Sequence, residues 1–434
     1  MPKIIHTADI HLDAPFSMLD VQKAQVRKNE LRGAFSSLIL FAKTEKADMV
    51  IISGDLFDSG FVTKETTALL ISQFASFPEC RFIIAPGNHD FISQRSPYKK
   101  EMFPPNVYIF EDEKITHFSF PDIGVDVYGY AFTSEKYTEN PLASVVPLDR
   151  GRINILAAHA DLVGKSDSCP LTPADIARSG FDYVALGHIH KGGEVKVSGD
   201  TYYAYSGCLE GRSFDECGVK GVLVCEFSKQ AGHLSASFAN RRLCKRRYEK
   251  MNVDITGVDS TEALIERLRG ALTEAGFGSD VLLRMRLTGR ISPDITLNLK
   301  AVTAQALGLF YLELDNDAMP LLNPEELKND ISIRGALYRE LMPMLESENE
   351  EERQLAADAL RLGLAALDGN DVVDFKAKLS NCFQKIYNLG IPCLYFHGIL
   401  KAEQGGPLWC LGYGDLPRYP RAASNRKVIY YDSC

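Results

Sequence analysis

The 434-residue sequence lacks the features that mark several other protein classes. No run approaches the roughly 18 apolar residues that a membrane-spanning helix needs. The first residues lead directly into a strand-like segment, without the architecture of a signal peptide. Ten cysteines are scattered from Cys80 to Cys434 with no Cys-x-x-Cys pair, which disfavours a disulfide framework. We therefore expect a reduced, cytoplasmic chain whose thiols are mostly small buried hydrophobes.

An excess of positive charge is also missing. The chain carries 48 Lys and Arg against 57 Asp and Glu, for a net charge of −9. This balance argues mildly against a broad nucleic-acid-binding surface, although a local basic stripe would serve the same purpose. Hydrophobic content of 45% and charged content of 24% are typical of a soluble globular protein. The length predicts two or three domains.

In the first half of the chain, short apolar runs alternate with helical stretches. Several runs are apolar on successive residues, as in Met49–Ile52, which is typical of a sheet buried on both faces. The predicted helices are Val21–Glu45 and Lys64–Phe77. The predicted strands are Lys3–Thr7, Met49–Ile52, Arg81–Ala85, Val125–Tyr130, Ile153–Ala158, Tyr183–Leu186 and Tyr202–Ser206. This order predicts a layered α/β fold.

Polar side chains that can bind a metal ion follow most of these strands. Ligands gather at strand ends in layered α/β folds, because the loops converge there. The clusters, in chain order, are Asp9 and His11, Asp55, Asn88 and His89, His159, and His188 and His190. We therefore predict a single site along one edge of the sheet.

The residue types indicate which metals the site would hold. Aspartate, asparagine and histidine without thiolates suit Mn²⁺, Fe²⁺ or Zn²⁺ in a site of nitrogen and oxygen ligands. Seven ligands are too many for one ion with an open position. Two ions roughly 3.5–4 Å apart that share one carboxylate would use them all, and this arrangement hydrolyses phosphate esters.

Each cluster alone has an ordinary explanation. A single Asp-x-His or Gly-Asp is common, and Gly-Asn-His-Asp or Gly-His-x-His can be turn or core residues. The prediction depends on five clusters in fixed order, each after a strand. His6 lies inside a predicted strand, so a packed role fits it better. His117, His233 and His397 have no metal-like neighbours in the sequence.

These motifs resemble the signature of the calcineurin-like metallophosphoesterases. The stretches His6–Leu12, Gly54–Asp58 and Tyr205–Glu210 are similar, more narrowly, to the SbcD/YhaO-type DNA repair exonucleases, and Phe214–Glu216 and Lys220-Gly221 also fit that branch. The resemblance is good over residues 3–230. It implies a two-sheet β-sandwich flanked by helices, followed by a small α/β capping domain and a helical C-terminal region.

The resemblance also implies roles for individual residues. One metal would be held by Asp9, His11, Asp55 and His190. The other would be held by Asp55, Asn88, His159 and His188, with Asp55 bridging. The ions would be Mn²⁺. The substrate would be DNA, and an SbcC-type ATPase subunit would be the partner. A homodimer is also expected.

His89 would be the catalytic histidine of this family pattern, acting on the leaving group as an acid or electrostatic stabiliser. Some relatives carry a second catalytic histidine three residues after the Gly-Asp aspartate, where this sequence has Asp58. The sequence leaves two roles open for Asp58. It would either orient His89 or a ligand imidazole, or simply cap a helix or loop.

A basic stretch and a small α/β pattern follow the predicted metal-binding region. The pattern comprises a strand at Met251–Ile255, a helix opened by Asp259 with Glu262 three residues on, and a strand at Val281–Leu287. The residues that could meet backbone phosphates are Arg241, Arg242, Arg246, Arg284 and Arg286. A solvated linker and an ordinary strand exterior are the alternative explanation.

These observations predict four regions. They are a metallophosphoesterase domain at 1–230, a capping domain at 250–316, a helical region at 324–389 and a tail at 390–434 for which the sequence offers no functional account. The expected function is metal-dependent DNA exonuclease or endonuclease activity in DNA repair. Two alternatives remain open: a small-molecule phosphodiesterase or nucleotidase, and a subunit that mainly binds DNA ends or an ATPase.

Overall fold

The computed structural model describes residues 1–292, 295–321 and 324–367. The predicted tail at 390–434, the end of the predicted helical region and His397 lie outside the described residues. The described chain divides into two compact units. The first comprises Met1–Asp254, Ser260–Thr288 and Leu297–Asp317, and the second comprises Ile255–Asp259, Gly289–Thr296 and the residues from Ala318 onward.

The elements are numbered here in chain order. The strands are β1 (Lys3–Thr7), β2 (Met49–Ile52), β3 (Arg81–Ile84), β4 (Val107–Ile109), β5 (Thr116–Phe120), β6 (Val125–Gly129), β7 (Ile153–His159), β8 (Tyr183–Gly187), β9 (Lys196–Ser198), β10 (Thr201–Tyr205), β11 (Gly221–Gln230), β12 (His233–Arg242), β13 (Arg247–Asp254), β14 (Val281–Thr288), β15 (Arg290–Ile291), β16 (Tyr311–Asn316) and β17 (Met319–Pro320). The helices are α1 (Val21–Thr44), α2 (Lys64–Ala75), α3 (Pro97–Lys100), α4 (Pro173–Ser179), α5 (Thr261–Ala275), α6 (Leu299–Gln305), α7 (Pro324–Asn329), α8 (Ile333–Leu345) and α9 (Glu350–Leu367).

Two six-stranded sheets form most of the first unit. The first has the order β12-β11-β1-β2-β3-β4, and β1 to β4 run parallel. The hairpin of β11 and β12 joins this sheet antiparallel to β1. The second sheet has the order β5-β6-β7-β8-β10-β9, with parallel central strands and antiparallel strands at both edges.

The sheets pack face to face, with helices outside. One hydrophobic cluster contains residues of both sheets, including Ile5 and Val50 from the first and Val127 and Ile155 from the second. Helix α1 belongs to the same cluster through buried residues spaced three and four apart: Leu31, Ala34, Phe35, Leu38, Ile39 and Ala42. The predicted two-sheet sandwich flanked by helices is confirmed.

A smaller parallel sheet, β13-β14-β16, lies in the same unit together with α5 and α6. Leu283, Met285 and Leu287 of β14 are buried, whereas the intervening arginines are partly or fully exposed, as their alternation predicts. The predicted start of the helix was one residue early. Ser260 is the N-cap, and its hydroxyl accepts a hydrogen bond from the Ala263 amide.

The second unit is helical in the described residues from Pro324 onward, as the sequence predicts. Helices α8 and α9 share a hydrophobic cluster that includes Leu337, Leu341, Leu360 and Leu364. In the part of the chain that the structure describes, no helix is both long and apolar enough to cross a membrane.

The two large sheets are in direct contact where β2 and β8 end. The Ser53 hydroxyl donates a hydrogen bond to the Ala185 carbonyl at 2.9 Å, which links one sheet to the other. A Cβ on Gly187 would lie 1.8 Å from the Ser53 carbonyl oxygen. Only glycine therefore allows this approach.

Replacing Gly187 with alanine should lower the free energy of unfolding by about 2 kcal/mol or more, because the sheets must separate to admit the methyl group. The control is Gly33→Ala in the middle of α1, where the added Cβ meets no atom within 4 Å. That change should raise the unfolding free energy by about 0.5–1 kcal/mol. Urea unfolding followed by circular dichroism measures both values. Equal stability of the two variants would contradict the packing described here.

Candidate metal centre

The predicted ligands lie together at one edge of the sandwich. The loops after β1, β2 and β3 bring them from the first sheet, and β7 and β8 bring them from the second. Carboxyl ends of parallel strands meet at one edge, so residues far apart in sequence converge there. The structure gathers all seven predicted ligands: Asp9, His11, Asp55, Asn88, His159, His188 and His190.

Four of these residues have an unusual backbone conformation. Asp9, His11, Asp55 and His188 adopt positive φ values of 51°, 52°, 53° and 98°. Non-glycine residues rarely occupy this region, and they do so mainly where surrounding contacts enforce it. Here the Asp9 amide donates to the Gly54 carbonyl at 3.0 Å and the His11 amide donates to the Asp55 carbonyl at 2.9 Å. These bonds hold the two loops in register beside the site.

The first group of donors comprises Asp9, His11, Asp55 and His190, each of which offers one ligand atom within 4.8 Å of the others. The Nε2 atoms of His11 and His190 are 3.2 Å apart, and His11 Nε2 is 3.5 Å from Asp55 Oδ2. Nitrogen and oxygen atoms of ligand type therefore converge on one small volume.

Glu216 determines which nitrogen of His190 faces that volume. Its Oε1 lies 2.7 Å from His190 Nδ1. Burial would raise the pKa of Glu216, but the hydrogen bond from His190 and the Arg212 charge outweigh it and hold the pKa at about 2. The ionised carboxylate therefore accepts the Nδ1 proton, and Nε2 presents its lone pair. This carboxylate–imidazole arrangement is the usual support for a metal-binding histidine.

The second group of donors surrounds His159. Its Nε2 is 2.9 Å from Asn88 Oδ1 and 3.4 Å from Asp55 Oδ2. Its Nδ1 lies 3.0 Å from the Ser53 carbonyl, which can only accept, so Nδ1 carries the proton. The His188 ring stands edge-on to the His159 ring, with centroids 5.2 Å apart. Asp55 Oδ2 is thus close to a nitrogen of each group.

The electrostatics of the site fit divalent cations. Burial lowers the pKa of His159 and of His188 to about 4, so both imidazoles are neutral, as metal ligands must be. Burial raises the pKa of Asp9 and of Asp55, and the Asp55 charge adds to the effect on Asp9. Two buried carboxylates among neutral imidazole lone pairs are the surroundings that a bound cation stabilises.

The predicted catalytic residues lie beside the first group. His89 is exposed at the surface, and its Nδ1 donates to the Asp58 carbonyl oxygen at 3.1 Å. The Asp58 carboxylate lies 3.2 Å from His11 Nδ1 and accepts a hydrogen bond from Arg212 at 2.8 Å. Asp58 therefore contacts His89 through its backbone and His11 through its side chain.

Sequence reasoning assigned no role to three residues that hold this site together. Arg212 spans Asp58 and Glu216, and its Nη2 is 3.1 Å from Glu216 Oε1. Asp90 accepts hydrogen bonds from the amides of Leu56, Phe57 and Gly87 and from the Tyr98 hydroxyl. Glu216 lies in a stretch that carried part of the resemblance, and Arg212 lies just before that stretch, but nothing in the sequence shows which imidazole Glu216 contacts.

The arginines predicted to contact DNA differ in availability. Arg246 is largely buried, forms a 2.7 Å ion pair with Glu30 and covers the Phe310 ring at 3.7 Å. This burial argues against the predicted contact of Arg246 with DNA. Arg284 and Arg286 of β14 pair with Glu313 and Asp317 at 3.1 and 3.2 Å.

Arg241 and Arg242 are exposed at the end of β12. Arg242 lies 3.3 Å from Asp280. No described carboxylate lies within ion-pair distance of Arg241, whose Nη1 donates to the Asn240 carbonyl. Of the five predicted arginines, Arg241 is therefore the most available to an external phosphate.

The Glu216→Gln variant should bind Mn²⁺ about 10- to 100-fold more weakly than the wild-type protein, because a neutral amide no longer fixes the His190 tautomer. The control is Asp215→Asn, since the Asp215 side chain is 94% exposed. Titration calorimetry with MnCl₂ measures the affinity, and circular dichroism checks that both variants are folded. Unchanged affinity in Glu216→Gln would exclude the role given to this carboxylate.

This chain is similar to several known proteins. The chain is 28% identical over 346 residues to the uncharacterized metallophosphoesterase YhaO of Bacillus subtilis, covering 76% of this chain and 83% of that protein. It is 26% identical over 253 residues to the DNA double-strand break repair protein Mre11 of Saccharolobus solfataricus, covering 54% of this chain and 63% of that protein. A crystal structure of a dimetal phosphatase from Danio rerio has a TM-score of 0.33 and 10% identity, and covers 52% of this chain and 92% of that one.

The matched family model has the description calcineurin-like phosphoesterase, and it spans residues 2–192. All seven predicted ligands fall inside that range. Members of this superfamily are phosphoester hydrolases that bind divalent metals. Residues 2–192 of this chain therefore match a calcineurin-like phosphoesterase domain.

Proposed function

We propose that this protein is a metal-dependent DNA nuclease that hydrolyses phosphodiester bonds. The observation that carries the proposal is the position of Asp55, whose Oδ2 lies 3.5 Å from His11 and 3.4 Å from His159. One carboxylate next to two separate groups of donors is the arrangement that a two-metal phosphoesterase requires. Asp9, His11, Asp55 and His190 would hold one ion, and Asp55, Asn88, His159 and His188 would hold the other.

Two divalent ions bound there would supply an activated water as nucleophile and would neutralise the phosphate oxygens. Mn²⁺ suits the nitrogen and oxygen ligands and is our proposed metal. The chain itself contributes rigid placement of the ligands. Glu216 orients His190, the Ser53 carbonyl orients His159, and Asp58 lies against His11.

His89 is suited to act on the leaving group. Its Nδ1 proton is committed to the Asp58 carbonyl, so Nε2 is the nitrogen left to meet the substrate. The ring stands edge-on to His11, with centroids 4.9 Å apart. The exposed edge of His89 is therefore next to the first donor group. With a proton on each ring nitrogen, His89 would donate the Nε2 proton to the departing oxygen or stabilise its charge.

DNA is the proposed substrate for two reasons. The relative from Saccharolobus solfataricus is named as a DNA double-strand break repair protein, and Arg241 is exposed with no described carboxylate within ion-pair distance. We further propose a role in DNA repair in the cytoplasm, with an SbcC-type ATPase subunit and a second copy of this chain as partners. The relative from Bacillus subtilis is a metallophosphoesterase without a named substrate, so the test below includes a small diester.

The His89→Ala variant should cleave end-labelled linear double-stranded DNA about 10²- to 10⁴-fold more slowly than the wild type in Mn²⁺, with little change in metal affinity. The matched control is His233→Ala, which removes an exposed histidine from β12, away from the site. Product lengths on a denaturing gel distinguish exonuclease from endonuclease cleavage.

Hydrolysis of bis-p-nitrophenyl phosphate is measured in parallel. Hydrolysis of this diester without cleavage of any DNA would retain the metal centre and reject the nuclease proposal in favour of a small-molecule phosphodiesterase or nucleotidase. DNA binding without hydrolysis of either substrate would favour a mainly binding subunit. Full DNA cleavage by His89→Ala would reject only the role of His89.

A further inference from the structure

A cavity of about 460 Å³ lies behind the loop that carries His190. Four basic residues line it, and no acidic residue does. Two cysteines and Ser206, the residue that directly follows β10, also line the cavity. The basic residues are Lys191, Lys220, Arg241 and Arg242. A concave surface with charge of one sign concentrates counter-ions.

Lys220 is the clearest sign that this cavity has a ligand. Only 6% of the residue is exposed, and its Nζ donates to the His190 carbonyl at 3.3 Å. Within the described part of the chain, no carboxylate lies within 4 Å of this ammonium group. An ammonium group has three donors, and lysines this buried are almost always paired. Lys220 thus has donors to offer to an anion in the cavity.

The rim of the cavity adds further donors. Arg241 is exposed and has no described carboxylate within 4 Å. Its guanidinium can therefore form a bidentate pair with a phosphate. Arg242 is less available because Asp280 lies 3.3 Å away. Lys191 is exposed immediately after His190. One buried ammonium group and exposed cations at the rim suit an oxyanion with several acceptor atoms.

The cavity and the candidate metal centre lie on opposite sides of His190. The imidazole of His190 faces the metal-ligand group, while its carbonyl accepts hydrogen bonds from Lys220 and from the Cys208 amide at 3.3 and 3.1 Å. A phosphate held in the cavity would therefore lie on the other side of the His190 backbone from the candidate metal centre.

From this geometry we infer that the cavity is a second phosphate-binding site, with Lys220 at its base and Arg241 at its rim. The source of the phosphate rests on the proposed function: in a nuclease it is a phosphate of the same strand beyond the scissile bond. A free phosphate or nucleotide presents the same oxygens. The basic cavity is defined by the residues that line it and does not depend on the proposed function.

The test compares Arg241→Gln with Arg269→Gln, a control that removes an exposed arginine from α5. Each Mn²⁺-loaded protein is assayed for binding of a short single-stranded oligonucleotide over a range of salt concentrations. Arg241→Gln should reduce the slope of log affinity against log salt by about 1, and the control should not.

A second arm measures the rise in melting temperature with inorganic phosphate, against sodium chloride of equal ionic strength. A smaller rise in Arg241→Gln identifies a free phosphate as a ligand, and a change in the oligonucleotide slope alone identifies the strand. Lys220→Met, checked for folding by circular dichroism, should show the same losses. Wild-type behaviour of Arg241→Gln in both arms would overturn the inference. Absence of DNA cleavage by the wild type would instead reject the proposed function. The rise in melting temperature with phosphate would then decide alone whether the cavity binds phosphate.

Discussion

The Asp55 carboxylate is the group around which the candidate site is built. It follows a fully buried strand, at a residue with φ of 53°, and its Oδ1 accepts a hydrogen bond from the His89 amide at 3.0 Å. Gly87 packs so closely that a Cβ there would lie 2.3 Å from Asp55 Oδ1. The amide of the next residue, Leu56, donates a hydrogen bond to the Asp90 carboxylate. This carboxylate also accepts a hydrogen bond from the Gly87 amide, within the loop after β3. The strained backbone at Asp55 is therefore fixed from both sides.

Charged groups that are not themselves predicted ligands keep His190 in the tautomer that can bind a metal ion. The Glu216 carboxylate is buried but stays ionised. His190 and Arg212 both form hydrogen bonds with it, and these contacts lower its pKa. A second buried network has no contact with the metal ligands. In it, Arg27 is completely buried and pairs with Glu30 and Glu210, whose carboxylate also accepts the Lys245 and Arg246 amides. This network ties α1 to the segment that leads into the β13-β14-β16 sheet.

Local patterns predicted the layered α/β fold and the convergence of ligands, whereas the two-sheet sandwich was implied by the family resemblance. Buried strands have continuous apolar runs, and each metal-binding motif follows such a strand directly. The limits come from interactions between distant residues. The sequence did not predict the hairpin of β11 and β12. Strand β12 has few apolar residues, because it lies at the edge of the sheet and pairs with β11 alone. The ion pair of Arg246 with Glu30 could not be predicted, because the two residues are 216 positions apart in the sequence. The roles of Glu216 and Arg212 likewise depend on folding that brings them to His190.

The measurement that tests the account most directly is the metal stoichiometry of the purified protein, with the Asp55→Asn variant beside the wild type. Metal-free protein is titrated with MnCl₂, and bound metal is quantified by elemental analysis after removal of free ions. Two Mn²⁺ ions per wild-type chain are expected. One ion or fewer is expected in Asp55→Asn, because both groups of donors lose their common charged ligand. A single ion in the wild type, or two ions retained by the folded variant, would contradict a centre that shares Asp55.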